Sequence, residues 1–397
     1  MLHSINALRV VGEFFVVKYH LFPSVNKAAD SNVPMVLESL AAVDLMSFFF
    51  VLSGFVCAYA HKGDDWTVRG CWMTFYRRKA AKMYPIYLLG LAVNIATRSA
   101  TYDPWFWGCL VADVAVVSPW TYCMNSCDAR QAAWYLSVLF WLWLAFPPLQ
   151  QLTCLQRHPW ITVICLYCIS LIPWFYLVVH PWEYVAYSQL PICRLAEFLI
   201  GCTLTSTLHT RVSTWLCALV CMGVGSYYII ELLVFPYHMS LCMGTETRIR
   251  VALTPWTFEL LSDGSARCPP IWHVFRSRMA LAWAIVIQWV ACTELQGGST
   301  LFLGWGLFKD LSRFSLQLYL GHGVCSGLLV TCAQSLGPVK NLLQMDTLML
   351  GTYSLCYVLY VYLQPLLDRA GKYVFQHTTP NLIRDVPDVV HAATTLI

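Results

Sequence analysis

Four ionisable residues lie within the first apolar segment of the chain, at residues 5–22. They are Arg9, Glu13, Lys18 and His20. A histidine has its pKa near neutrality, so it is the natural general base for taking the proton of a hydroxyl nucleophile. A guanidinium group is suited instead to holding phosphate or carboxylate. The segment therefore combines residue types that could move a group from an anionic donor to a hydroxyl.

The spacing of these residues places three of them on one face of a helix. At about 3.6 residues per turn, the step from Arg9 to His20 is about three turns, and Glu13 falls within about 40° of Arg9. Lys18 lies on the opposite side, where a lysine near a helix end usually extends to the membrane interface. Because an ionisable group costs a few kcal/mol in mid-bilayer, the face carrying Arg9, Glu13 and His20 is predicted to contact protein or a water-filled cavity. The simpler alternative is a buried helix whose charges only satisfy one another.

Arg9 and His20 are too far apart to act on the same proton. At 1.5 Å per residue they are separated by about 16 Å along the helix. Arg9 is therefore expected to hold a donor phosphate or to pair with Glu13, while the near-neutral pKa of histidine makes His20 the candidate general base. The rival interpretation is a transporter or receptor that uses the same charged face as an ion or proton path.

A second group of cations, centred on Arg78, Lys79 and Lys82, precedes the third apolar segment. Pro85 follows it and is expected to open the next helix. Ammonium and guanidinium groups at a cytoplasmic membrane face suit the phosphates of a phosphorylated donor. The alternative is that this basic cluster only sets the orientation of the chain in the membrane.

Later apolar segments carry further polar residues at short spacings. They are Ser53 beside Gly54, Trp134 with Ser137, Arg194 with Glu197, and Tyr319 with His322. Three of these four pairs have a structural explanation, the exception being Trp134 with Ser137. Small residues allow close helix packing, residues three apart form helical ion pairs, and a lone buried histidine is more often a core residue than a base.

Composition predicts the fold class. Of 397 residues, 58% are hydrophobic and only 12% are charged, and the mean hydropathy is +0.58. A soluble chain carries about a quarter charged residues. We predict an all-α integral membrane protein, a bundle of about ten transmembrane helices with aromatic belts at two interfaces. No basic, aromatic-interleaved patch suggests nucleic-acid binding, and no cysteine spacing gives a convincing zinc signal.

The ten predicted spans cover most of the chain. They are 5–22, 41–60, 83–99, 133–153, 160–180, 191–208, 213–235, 279–296, 312–335 and 345–366. The stretch 103–119 is interrupted by Asp103, Pro104 and Asp113, so we interpret it as re-entrant or interfacial, with an eleventh span as the alternative. The transmembrane domain is placed at 1–366, and a short cytoplasmic tail at 367–397.

Loop charge predicts the orientation. The loop 61–82 is strongly basic whereas 23–40 carries only Lys27, so 61–82 and both termini are predicted to be cytoplasmic. The basic loop 236–278 then lies outside, which conflicts with the same rule. Cysteines in the predicted loops could form disulfides if those loops face an oxidising compartment. They are Cys123, Cys127, Cys242 and Cys268.

Taken in order, these segments resemble the acyltransferase 3 family of multispan membrane acyltransferases, from the first span to about residue 366. The motifs that carry the resemblance are Arg9-x10-His20, the run ending Ser53-Gly54-Phe55, the basic cluster ending Tyr84-Pro85, Trp134-x-Leu136-Ser137 with Phe146-Pro147, Arg194-x-x-Glu197-Phe198, and Ser315-Leu-x-Leu-Tyr319-Leu-x-His322. Each motif is short, but six of them occur in the expected order and at the expected spans.

The resemblance implies a ten-span acyltransferase that transfers groups other than amino-acyl groups. It implies transfer of an acyl group, commonly acetyl, from a cytoplasmic acyl-CoA to a hydroxyl on a sugar, lipid or small molecule, without a metal. His20, Arg9, Tyr319 and His322 are then the expected catalytic residues. Arg78, Lys79 and Lys82 are the expected acyl-CoA ligands, and Trp134, Ser137, Arg194 and Glu197 the expected acceptor side.

The chain departs from the family pattern in two places. Leu139 and Phe140 stand where many bacterial members have two acidic residues, and Gln364 replaces an acidic residue near the end of the last span. These departures make the chain more similar to the eukaryotic branch of the family. A histidine-dependent membrane acyltransferase of another family is a further alternative, against which the position of His20 in the first span argues.

Overall fold

The structure of the protein is a computed structural model. It describes residues 2–28, 36–96, 104–121, 134–151, 157–179, 190–209, 212–226, 259–260, 266–267, 279–298, 342–376 and isolated positions between 308 and 325. The predicted loop cysteines lie outside these described residues.

The described part of the chain is almost entirely helical. Its helices are α1 (His3–Ala28), α2 (Val36–Ala60), α3 (Arg69–Ala96), α4 (Pro104–Val114), α5 (Trp134–Gln150), α6 (Pro159–Val179), α7 (Pro191–Leu204), α8 (Met279–Leu295) and α9 (Leu342–Gln376). Residues 214–226 are also helical, as are the described positions between 308 and 325, which we call the ninth segment. Short 3₁₀ helices follow α4 and α7, at Ser118–Trp120 and Thr205–Thr207.

The prediction of an all-α fold is confirmed apart from one small hairpin. Strands β1 (Glu259–Leu260) and β2 (Ala266–Arg267) pair antiparallel, with Glu259 opposite Arg267. In the portion of the chain that the structure describes, no helix combines the length and the apolar character that a membrane crossing requires. Helix α4 is eleven residues long, about 16 Å, which fits the interrupted segment predicted at 103–119.

Helix α3 begins earlier than the sequence patterns predict. It starts at Arg69, so the basic cluster lies on a helix and not in a loop, and Pro85 lies inside the helix instead of opening it. Residues between Cys71 and Tyr84 contain no glycine or proline, and several are good helix formers, so the helix extends upstream of the proline. Because Pro85 has no N–H, the carbonyl of Ala81 lacks its usual helical donor.

Helix α9 crosses α3 at that carbonyl. A methyl group on Gly371 would meet the carbonyl oxygen of Ala81, so only glycine allows the two backbones to approach here. Leu367 packs against the main core. The predicted boundary at residue 366 therefore falls within a continuous helix, which extends ten residues into the predicted tail and ends at Gln376.

Helices α2 and α7 form the centre of the core. A methyl group on Gly54 would meet the carbonyl oxygen of Phe198, and one on Gly201 would meet that of Val51. The close-packing explanation of the Ser53-Gly54 motif is thus confirmed for Gly54. The surrounding core is rich in aromatic residues from α2, α3 and α5, including Phe50, Tyr87 and Phe146.

Candidate active site

The charged face of α1 packs against the ninth segment. Nε of Arg9 lies 4.0 Å from Oε1 of Glu13. Nη2 of Arg9 donates to the backbone carbonyl of Ser312 at 2.7 Å, and the hydroxyl of Ser315 donates to Oε1 of Glu13. Glu13 is 5% exposed. The expectation that Arg9 and Glu13 share a face in contact with protein is confirmed.

These contacts do not use all the hydrogen-bonding capacity of the pair. Nε of Arg9 and Oε2 of Glu13 are buried and have no hydrogen-bond partner among the described residues. Lys18 and His20 lie on α1, but their side chains are outside the described part of the structure. The role of His20 as a base therefore stays a prediction.

Tyr135 connects this charged face to the other predicted catalytic residues. Its ring lies 5.4 Å from that of Tyr319, and the ring of Tyr319 lies 6.0 Å from that of His322, centroid to centroid. The phenol oxygen is 2.7 Å from Oγ of Ser53. Tyr135 is also within electrostatic range of Arg9. Helices α1, α2 and α5 and the ninth segment thus meet around one tyrosine.

His322 is held in a defined orientation. Its Nδ1 lies 3.2 Å from the carbonyl oxygen of Leu318, and the imidazole is 1% exposed. A carbonyl oxygen can only accept, so Nδ1 must carry the proton and Nε2 is the basic nitrogen of the neutral ring. This geometry is compatible with both explanations of His322: a second base, or a histidine buried in the core for structural reasons.

The basic cluster divides into an inner and an outer part. Lys79 is 6% exposed and Lys82 is half-buried, whereas Arg78 is exposed. Residues 79 and 82 are three apart on α3 and share its inner face, while position 78 points elsewhere. The three predicted acyl-CoA ligands are therefore not equivalent.

Lys79 is buried against aromatic rings. Its Nζ lies 4.9 Å from the ring centroid of Trp143 and 5.4 Å from that of Phe75, and has no hydrogen-bond partner among the described residues. Burial lowers the pKa of Lys79. The ring faces attract the ammonium, but they cannot replace the hydrogen bonds that it makes in water.

Lys82 lies within electrostatic range of two other cations, Lys79 and Arg9. Burial, then the nearby charges of Lys79 and Arg9, lower the pKa of Lys82 to about 8, and Asp368 on α9 opposes this shift. The amide of Gln364 donates to Asp368 at 2.6 Å, one helical turn away. Arg9 on α1 and Lys79 on α3 therefore lie within electrostatic range of Lys82, and we call these three residues the inner cation cluster.

Arg194 and Glu197 form an ion pair, as the structural explanation of their spacing predicted. Nη1 of Arg194 donates to both carboxylate oxygens of Glu197, at 3.1 and 3.2 Å, and the hydroxyl of Ser47 donates to the same carboxylate at 2.8 Å. The guanidinium lies 5.3 Å from the ring of Phe50. Both charged residues are almost fully buried, and the pair ties α2 to α7.

Trp134 and Ser137 face different parts of the protein. The ring of Trp134 lies 6.4 Å from that of Phe50. Oγ of Ser137 is 3.0 Å from the hydroxyl of Tyr87, which donates to the carbonyl of Asp113 at 2.9 Å. Ser137 is thus directed toward α3 and α4.

Sequence reasoning assigned no role to three residues of this site. They are Tyr135, Ser312 and Ser315. Ser312 and Ser315 lie three apart on the ninth segment, and Arg9 and Glu13 lie four apart on α1, so each pair shares one helical face. The presence of two such polar faces was the available signal. Nothing in the sequence distinguishes Tyr135 from the other 20 tyrosines.

Comparison with known proteins assigns the family. The family model described as an acyltransferase domain, acyltransferase 3, matches residues 2–361, which is most of the chain. No curated protein matches the chain, and neither does any solved structure. The matched region includes the charged face of α1, the inner cation cluster and the residues around Tyr135. The protein is a member of the acyltransferase 3 family.

Proposed function

We propose that the protein is a membrane-embedded acyltransferase that moves an acyl group, most simply acetyl, from acyl-CoA to a hydroxyl of a sugar, lipid or small molecule. Family membership supports the acyltransferase activity in general. The single observation that favours a CoA thioester as the donor is the inner cation cluster, in which Lys79 is buried without a hydrogen-bond partner among the described residues.

The physical argument concerns the cost of the buried ammonium. A buried charge is tolerated when it is paired and hydrogen-bonded, and it is costly otherwise. The phosphates of CoA carry several negative charges and many acceptor oxygens, so they would satisfy Lys79 and Lys82 together. Arg9 would add a guanidinium to the same site. Arg78, being exposed, would contribute only at longer range.

The proposed reaction needs one proton transfer and one displacement. His20 takes the proton of the acceptor hydroxyl as its oxygen attacks the thioester carbonyl carbon. The C–S bond then breaks, and CoA leaves as the thiolate or thiol. Acyl-CoA and the acceptor alcohol are thus converted into the ester and free CoA, with every atom accounted for. The assignment of His20 rests on its chemistry and on the family motif, and Tyr319 and His322 are proposed to line the acceptor side.

The exposed surface supports the membrane part of the proposal. Helix α6, the helical residues 214–226 and α9 all expose large apolar side chains. They include Ile161, Ile164, Ile169, Ile172, Trp215, Leu219, Met222, Leu350, Tyr357, Val358, Tyr362 and Leu366. Contiguous exposed apolar surface marks a membrane or a protein interface. We propose that it contacts lipid, with the basic cluster and both termini on the cytoplasmic side.

The experiment is an assay of CoA release by purified protein in detergent or proteoliposomes. Acetyl-CoA is supplied with a panel of hydroxylated acceptors, and the ester product is identified by mass spectrometry. Acceptor-dependent release of free thiol in equal amounts with ester supports the proposal. Binding or vesicle uptake of a solute without thiol release would instead support the transporter interpretation of the charged face.

A further inference from the structure

We propose that the hydroxyl of Tyr135, held by Ser53, donates a hydrogen bond to the oxyanion that forms when the acceptor attacks the acyl thioester. The inference rests on the proposed function and names a catalytic residue for it. Transfer between a thioester and a hydroxyl passes through a tetrahedral intermediate whose oxygen carries negative charge. A donor fixed in advance at that oxygen stabilises the transition state more than the substrate.

The ring of Tyr135 is fixed by the aromatic residues around it. Its centroid lies 4.9 Å from that of Phe50, 5.4 Å from that of Tyr319, and 6.1 Å from that of Phe49. The residue is 7% exposed. A tyrosine has only two side-chain torsions, and these contacts restrict both. The position of its hydroxyl is therefore determined by the core.

The hydroxyl of Tyr135 takes part in two hydrogen bonds, and its own proton lies in the longer one. The phenol oxygen lies 2.7 Å from Oγ of Ser53 and 3.2 Å from the carbonyl oxygen of Phe49. That carbonyl can only accept, so the proton of Tyr135 points to it, and the proton of Ser53 points to the phenol oxygen. The bond to the carbonyl is long for an O–H donor.

The carbonyl of Phe49 has a second partner within α2. Residue 53 of the same helix supplies the backbone N–H that ordinarily bonds to the carbonyl four positions earlier. If Tyr135 turned its proton to a substrate oxygen, the carbonyl would keep this helical bond. The exchange therefore costs little, and the bond from Ser53 would still orient the phenol.

The surroundings match an acyl-transfer centre. Tyr135 is within electrostatic range of Arg9 and Glu13, and it contacts Tyr319, which contacts His322. Ser53 and Arg9 keep partly exposed surface in this otherwise buried region, and the side chain of Arg9 is 18% exposed. The hydroxyl pair thus lies between the proposed donor site and the proposed acceptor side.

A purely structural role is the competing explanation, since the two hydroxyls also tie α5 to α2. Tyr76 offers a matched control, because its hydroxyl donates to the carbonyl of Leu144 at 2.8 Å and ties α3 to α5. Tyr76→Phe removes the same kind of bond at a similar cost, about 1 kcal/mol. The contacts recorded for Tyr76 among the described residues are with Leu144 and Phe75, neither of which is proposed for catalysis.

The test compares Tyr135→Phe, Ser53→Ala, Ser53→Thr and Tyr76→Phe with the unmodified protein in the CoA-release assay. We expect Tyr135→Phe to lower kcat by about 10²-fold, with KM for acetyl-CoA within about twofold. Ser53, as a positioning residue, should give a smaller loss of kcat as alanine, and threonine should restore most of it. Tyr76→Phe should leave kcat unchanged.

Thermal unfolding in detergent measures stability for each variant. If Tyr135→Phe is folded and keeps kcat within about twofold while the unmodified protein transfers acyl groups, the inference is wrong and the proposed function stands. A kcat loss for Tyr135→Phe no larger than that for Tyr76→Phe would also overturn it. If the unmodified protein releases no CoA with any acceptor, both the inference and the proposed function are overturned.

Discussion

Gly54 on α2 and Gly201 on α7 meet backbone to backbone, each at the point where the other helix presents a carbonyl. A side chain on either glycine would collide with Phe198 or Val51 main-chain atoms. Small residues that let helix backbones approach are a common device for packing helices in membranes. This crossing supports the buried Arg194–Glu197 pair, which lies on the same interface.

The first prediction follows from that contact. Gly54→Ala and Gly201→Ala should each destabilise the fold by about 1–3 kcal/mol or more, because backbone atoms cannot move aside as a side chain can. Gly223→Ala is the control, since an added methyl group there meets nothing within 4 Å on a helical segment. Because alanine has a higher helix propensity than glycine, this control should lose no stability. Unfolding in detergent, monitored by intrinsic tryptophan fluorescence, checks all three, and equal midpoints would contradict the crossing.

A second prediction concerns the Arg9–Glu13 pair. Arg9→Ala should be strongly destabilising, by about 3–5 kcal/mol, because it leaves the buried carboxylate of Glu13 without its cation. The double variant Arg9→Ala with Glu13→Gln removes both charges and should recover part of that loss. The measurement is the midpoint of thermal unfolding. A double variant as unstable as Arg9→Ala would show that the missing guanidinium, and not the uncompensated charge, is what matters.

A third prediction tests the proposed base. His20→Ala should lower acyl transfer by about two orders of magnitude or more, while expression and acetyl-CoA binding stay close to normal. Lys18→Ala, on the opposite side of α1 by helical geometry, is the internal control and should be mild. CoA release and acetyl-CoA binding are measured on the same preparations. Near-normal transfer by a folded His20→Ala protein would contradict the assignment.

The inner cation cluster gives a fourth prediction. Replacing Lys79 and Lys82 together by alanine should raise KM for acetyl-CoA more than KM for the acceptor, because these two ammonium groups are proposed to hold the donor phosphates. Arg78→Ala, at an exposed position next to Lys79, should have a smaller effect. Steady-state kinetics with both substrates varied distinguishes the two constants. An unchanged KM for acetyl-CoA would leave the cluster with a topological role only.

The fifth prediction is the pH dependence of donor binding. Because its pKa is lowered from 10.5 to about 8, Lys82 carries its charge below that pH and loses it above. KM for acetyl-CoA should therefore rise between about pH 7 and pH 9 in the unmodified protein. Lys82→Arg stays charged throughout and should remove this rise. The same pH dependence in both proteins would assign it to another group.

The same titration should affect stability in the opposite direction: donor binding weakens as pH rises, whereas the folded protein becomes more stable. The unfolded chain keeps the ordinary pKa of 10.5, so between about pH 8 and that value it binds more protons than the folded protein. The contribution of Lys82 to the free energy of unfolding therefore increases with pH across this window. Unfolding midpoints of the unmodified protein and of Lys82→Arg, compared over the same range, measure this difference.

Local periodicity predicted much of the site and of the helices. The common face of Arg9 and Glu13 and the Arg194–Glu197 pair follow from about 3.6 residues per turn. The approximate extents of α6 and α8 follow from the lengths of their apolar runs. Both pairs join residues about one turn apart on the same helix, and each apolar run is a property of one continuous segment. A helix repeats its geometry locally, so the sequence determines them without knowledge of any partner.

Other features depended on contacts between distant parts of the chain. Helix α9 continues past residue 366 because Leu367 and Gly371 find partners on the core and on α3. Ser312 and Ser315 acquire a role only because the ninth segment lies against α1, some 300 residues away in sequence. Tyr135 stands out only when α1, α2, α5 and the ninth segment meet around it. Pairing of this kind is decided by which packed surfaces bury the charges and fill the core, and only the tertiary structure contains that information.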